Sequence, residues 1–147
     1  MMKLYIPGQD PSELVRKVER DFPGMKIKID KELAFYDYLT SKIESREEIC
    51  TVRFRLNTIR IPGGANGIVD WIETNPKDEN YHKQLGTIRI PLVVVADLRS
   101  FPEGLALLDE YSSKKEMIKD IQKIYNSKLK PEDILSAYML GELKKIN

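Results

Sequence analysis

One cysteine, Cys50, and one histidine, His82, are all that this 147-residue chain has of either type. A lone cysteine excludes an internal disulfide, and Cys50 with His82 could complete a zinc site only with several carboxylates, so neither metal nor cofactor is expected. Charge of one sign is lacking too: 24 Lys and Arg stand against 23 Asp and Glu, a formal net charge of +1. Composition therefore does not imply a broad electrostatic grip on nucleic acid, and any basic surface must be a local arrangement. No apolar run approaches the roughly 20 residues of a membrane span. The apolar start, Leu4-Tyr5-Ile6, is too short for a signal segment and meets the turn Pro7-Gly8 at once. No membrane partner is expected, and the cytoplasm is the expected compartment.

Common catalytic signatures are missing as well. Pro62-Gly63-Gly64-Ala65-Asn66-Gly67 lacks the Lys-Ser/Thr and the helix that a phosphate-cradling loop requires. A hydrolase with a histidine base would depend on His82, which reads as a solvated residue of a polar loop over 74–84.

What is present suits one packed core: 41% hydrophobic and 32% charged residues in a length too short for two ordinary domains. Residues 2–6 read as a strand. Asp10 as N-cap, Pro11 at the first helical position and Leu14, Val15, Val18 and Phe22 at helical spacing predict a helix over 11–22. Met25–Asp30 alternates as a strand. Leu33, Tyr36, Leu39, Thr40 and Ile43 fit one face of a helix over 31–45. The segment 49–56 is the clearest strand, with Cys50, Val52, Phe54 and Leu56 on one face and Thr51, Arg53 and Arg55 on the other. Strands follow at 68–72 and within 86–98, where Pro91 marks a bulge or an edge. Helices follow at 102–110 and 113–125. Over 132–146 apolar spacing alone fits a helix after Pro131. Strands in the middle flanked by helices indicate an α+β fold.

Thr51, Arg53 and Arg55 are the most informative residues. Guanidiniums two strand positions apart lie about 7 Å from one another, which suits neighbouring phosphates or a phosphate and a base edge. The plain alternative is a solvated strand face. The lysines of 114–130 read as a solvated helix face interrupted by Glu116 and Asp120, and Trp71 as core.

Two stretches together resemble the ASCH superfamily of PUA-like domains. Phe35–Arg53 is similar to the family's opening helix, turn and Lys-x-x-Thr-x-Arg strand. Glu110-Tyr111-Ser112-Ser113, with Glu116-Met117 and Ile121–Tyr125, is similar to its Glu-x-x-Ser/Thr turn and following helix. The resemblance spans about 32–146 and divides the chain into an N-terminal addition (1–30) and an ASCH/PUA-like domain (31–147). It implies a small β-barrel with flanking helices, and a strand rather than a helix in 132–146. It also implies RNA or a modified nucleoside as partner. One branch hydrolyses N4-acetylcytidine with a lysine base, a threonine nucleophile and a glutamate acid. Thr51 and Glu110 match the last two, Glu48 stands at the lysine position, and Arg53 matches the motif's arginine. A glutamate, with a reference pKa of about 4.3, is a weak base unless burial raises it. The change also removes a positive charge beside the hydroxyl. The expectation is an RNA- or nucleoside-binding module, with Arg53 and Arg55 as nucleic-acid contacts. An amidohydrolase using Thr51, Glu110 and Glu48, or a protein-interaction domain, is the alternative.

Overall fold

The computed structural model describes residues 1–146. Ten strands, four α-helices and two 3-10 turns make a mixed α+β fold. Strand β1 (Met2–Tyr5) leads to α1 (Pro11–Asp21), whose Asp10 cap accepts the Ser12 N–H at 3.0 Å. Then come β2 (Lys26–Asp30) and β3 (Glu32–Tyr36), a 3-10 turn (Asp37–Leu39), α2 (Thr40–Glu44) and β4 (Cys50–Phe54). After β5 (Thr58–Pro62), a long hairpin is formed by β6 (Ile68–Asn75) and β7 (Asp78–Arg89). The chain continues through β8 (Val93–Asp97), α3 (Glu103–Leu108), α4 (Lys114–Tyr125), β9 (Ile134–Met139) and β10 (Leu143–Lys145).

The strands form sheets of order β1-β8-β9-β4 and β10-β7-β6-β3 and a parallel pair, β2-β5. None of the three closes on itself, so the expected β-barrel is corrected to three open sheets among the described residues. The reason is visible in the pairing: β4 and β1 end one sheet and β3 and β10 the other, with no ladder joining the two. Both β1 and β2 are woven into sheets with later strands, β1 against β8 and β2 against β5.

The sheet β1-β8-β9-β4 is buried between two apolar clusters. Val93 and Val95 of β8 face a cluster holding Val18, Leu33, Trp71 and Ile88, while Val94 and Ala96 face Phe54, Phe101, Met117 and Ile121. A strand covered on both faces explains why this stretch reads as continuous apolar sequence rather than as alternation. Met117 and Ile121, one helical turn apart, are the buried stripe of α4, and Ser113 caps that helix by accepting the Glu116 N–H at 3.1 Å.

Several expectations change here. The helix over 31–45 is a strand in its first half, since Leu33 and Phe35 are buried and β3 pairs in parallel with β6. Only Thr40–Glu44 is α-helical. The polar loop over 74–84 is mostly the distal half of β7, with His82 opposite Thr74. Its exposed residues satisfy the hairpin ladder without contributing apolar periodicity. Leu56 lies outside β4 and is 52% exposed. The segment 132–146 is strand, as the resemblance implied and helical spacing did not. Gly67 sits at φ 73°, where an added Cβ would meet the Ile90 carbonyl oxygen at 2.3 Å, so the glycine loop is a packed turn.

Candidate functional site

Strand β4 runs beside a cavity of about 230 Å³, and its alternation aims Thr51 and Arg53 into that cavity while Cys50 and Phe54 turn to the core. The opposite walls come from Phe35 and Tyr36 at the end of β3 and Tyr38 of the 3-10 turn. Asp109 and Tyr111 enter from the end of α3, and Asp120 and Tyr125 from α4. Tyr36 and Tyr38 stand with ring centroids 5.7 Å apart and remain 42% and 63% exposed, an aromatic lip at the mouth.

Arg53 is fixed from three sides. Its Nε donates to Thr51 Oγ1 at 3.1 Å, its Nη2 donates to the Ala34 carbonyl at 3.1 Å, and its Cζ lies 4.8 Å from the Phe35 ring centroid. Among the described residues it forms no ion pair, whereas nearby Arg60 is paired with Asp30. Burial, and then the Arg60 guanidinium, lower the pKa of Arg53 from its ordinary value. A guanidinium held in place, partly desolvated and unmatched by a carboxylate is suited to donate to a ligand oxygen or ring nitrogen.

Glu48, from the loop before β4, is buried against Asp109. Burial first, then the hydrogen bond and charge of Asp109, push the Glu48 carboxyl up to about 9, so it holds its proton at neutral pH. Asp109 is also raised by burial, opposed by the hydrogen bond from Glu48 and by the Val52 N–H, which donates to its Oδ2 at 3.0 Å. The pair holds one acidic O–H and one carboxylate. Tyr111 donates to Asp120 Oδ2 at 2.5 Å, and burial raises its phenol. The Cys50 thiol is raised by burial too, so it is a packed side chain rather than a nucleophile.

Of the sequence-derived site residues, the structure brings Glu48, Thr51 and Arg53 together in one cavity. Glu110 does not line it: its carboxylate lies 2.7 Å from the Lys42 ammonium, while the preceding Asp109 faces inward. Glu110 is also the left-handed residue (φ 61°) that turns the chain out of α3. Arg55 is exposed beyond the end of β4 and lines a separate hollow with Lys26 and Lys28. Asp109 has no signal in the sequence, and Tyr38, Tyr111 and Tyr125 stand in the family-like stretches as base-stacking candidates without an assigned place in a site. The density of tyrosines in the two family-like stretches was the one signal that could have found the aromatic walls.

No family model matches the chain, and no curated protein matches it. Solved structures to which it is similar include two single-site mutants of ZmASCH from Zymomonas mobilis. One has 16% identity and a TM-score of 0.47, covering 80% of this chain and 73% of that one. The other has 15% identity and a TM-score of 0.46, covering 86% and 75%. A third is the protein EF3133 from Enterococcus faecalis, of family model DUF984, with 13% identity, a TM-score of 0.49 and coverage of 93% and 88%.

Proposed function

We propose that the chain binds a nucleobase, presented by a nucleoside or an unpaired RNA residue, in the cavity beside β4. The observation that carries this reading is Arg53: a positioned, ion-pair-free guanidinium in a cavity walled by Phe35, Tyr36, Tyr38 and Tyr125. Aromatic faces stack any base, and a base edge supplies the acceptors that a guanidinium lacks. The protonated Glu48 gives its O–H to Asp109, so the pair adds acceptor oxygens beside the Arg53 donors, and a base edge carries partners for both.

Binding fits these groups better than hydrolysis does. A threonine nucleophile needs a base, and at neutral pH Glu48 is an acid. The Lys42 ammonium is paired with Glu110, whose hydrogen bond raises its pKa further, so it too is a poor proton acceptor.

Calorimetric titration with the common ribonucleosides and N4-acetylcytidine tests the proposal. Saturable binding of at least one is expected. Tyr38→Ala should weaken it by about 5- to 150-fold, the range of one base–aromatic stack of about 1–3 kcal/mol. N4-acetylcytidine should be recovered unchanged by chromatography. Absence of binding by every nucleoside would overturn the cavity reading, and cytidine release that Thr51→Ala abolishes would replace it with the hydrolase.

A further inference from the structure

The face of the β2-β5 pair turned towards the cavity carries a line of cations that base binding does not use. Register sets Lys28 beside Arg60 and Lys26 beside Thr58. Lys26 and Lys28, with Arg55 from the turn between β4 and β5, line a hollow of about 380 Å³ that has no carboxylate in its wall. Asp30 is the nearby acid, and its charge is met twice by Arg60, at 3.1 and 2.9 Å, and by the Tyr138 hydroxyl at 2.8 Å. The Lys28 ammonium reaches it only at 3.4 Å.

The hollow and the cavity are separate, and Arg60 stands between them. Arg60 Nη1 donates to the hydroxyl of Tyr125, a cavity wall, at 3.4 Å, and Arg60 is the residue that stands beside Lys28. Arg55, just past the end of β4, follows Arg53 by two residues, about 7 Å of extended chain, close to one nucleotide step of an extended strand. A cationic hollow one nucleotide away from an aromatic cavity is the arrangement that a phosphorylated ligand would need.

We propose that Lys26, Lys28 and Arg55 bind the phosphate attached to the nucleoside whose base occupies the cavity. The ligand class is then a nucleotide or a single strand rather than a free nucleoside, and β2, from the N-terminal 30 residues, supplies two of the three phosphate contacts. This inference rests on the cavity reading for its base, but not for its phosphate.

The test compares each ribonucleoside with its 3′- and 5′-monophosphates and with a dinucleotide at low salt, using the native chain and Lys26→Thr/Lys28→Thr/Arg55→Gln. The native chain should bind one phosphorylated form about tenfold or more tightly than the nucleoside, as charge-assisted hydrogen bonds would give. The triple variant, shown by its melting curve to be folded, should lose that gain and keep the nucleoside affinity. A monophosphate gain without a further dinucleotide gain identifies a mononucleotide site, and the reverse identifies a strand. Equal affinities for nucleoside and phosphorylated forms would overturn the proposal. So would a variant that loses both equally. If no nucleoside or nucleotide binds, amide NMR with inorganic pyrophosphate separates the two readings. Shifts at Lys26, Lys28 and Arg55 that vanish in the variant would retain the hollow and discard the cavity, and no shifts would discard both.

Discussion

Glu48 concentrates the chemistry of the site in one proton. Its carboxyl is raised from an ordinary 4.5 to about 9 by burial and by Asp109, so the native protein binds a proton there that the unfolded chain releases above the ordinary value. The sign follows from linkage: where the native state holds more protons, stability falls as pH rises. The stabilisation from protonated Glu48 is full below about pH 4.5, declines above it, and is gone once the pH passes about 9. Glu48→Gln keeps a donor towards Asp109 without a charge to release. Urea denaturation at several pH values from 5 to 9 should show a shallower decline for Glu48→Gln than for the native chain. Parallel curves would mean that Glu48 is ionised in the folded state and that the donor–acceptor pair at the cavity floor does not exist. The same residue shows why a spacing match is not a chemical match. Glu48 stands in the motif's lysine position, yet its surroundings make it an acid, and Asp109 rather than Glu110 is its partner.

At the level of elements, one buried polar network ties the β2-β5 pair to β9. Asp30 of β2 is 2% exposed and takes two hydrogen bonds from Arg60 of β5 and one from Tyr138 of β9. Arg60→Ala leaves that buried carboxylate with only the longer 3.4 Å cation contact, to the Lys28 ammonium, and should cost up to about 3–5 kcal/mol in chemical denaturation. Asp30→Asn on the Arg60→Ala background should recover part of the loss, because the weakly compensated charge is gone. Strict additivity of the two losses would show that the pair is not coupled. This network joins positions far apart in sequence and had no signature in it. What was legible followed from local chemistry: α1 from Asp10, Pro11 and its apolar spacing, α4 from a serine cap at Ser112 or Ser113, of which the structure uses Ser113, and β4 from alternation. Strand β5 went unread although Thr58-Ile59-Arg60-Ile61 alternates plainly, and Ile59 and Ile61 are its core face. Strand β3 reads as helix because Leu33, Tyr36 and Leu39 fit helical spacing, while Leu33 and Phe35 fit the strand period over only three residues, and parallel pairing with β6 decides between them. The cavity was half legible: Thr51 and Arg53 share a strand face, but its aromatic wall is assembled from three separate segments.

Across the whole molecule, charge is balanced and only its placement is uneven. With 24 cationic and 23 acidic side chains, no long-range field draws a polyanion in, so binding must draw on few contacts. That has a thermodynamic signature. Each phosphate neutralised on a single strand contributes about −0.7 to the slope of log K against log salt. A nucleoside held by stacking and by Arg53 carries no phosphate and should show a slope near zero. A short single-stranded RNA that engages Lys26, Lys28 and Arg55 should neutralise one to three phosphates, giving a slope of about −0.7 to −2. Fluorescence anisotropy of a labelled oligoribonucleotide from low to moderate salt measures the second, and calorimetry of the nucleoside measures the first. A slope of about −5 for the RNA would require seven phosphate contacts. That would place the binding surface well beyond the cavity and the hollow beside it.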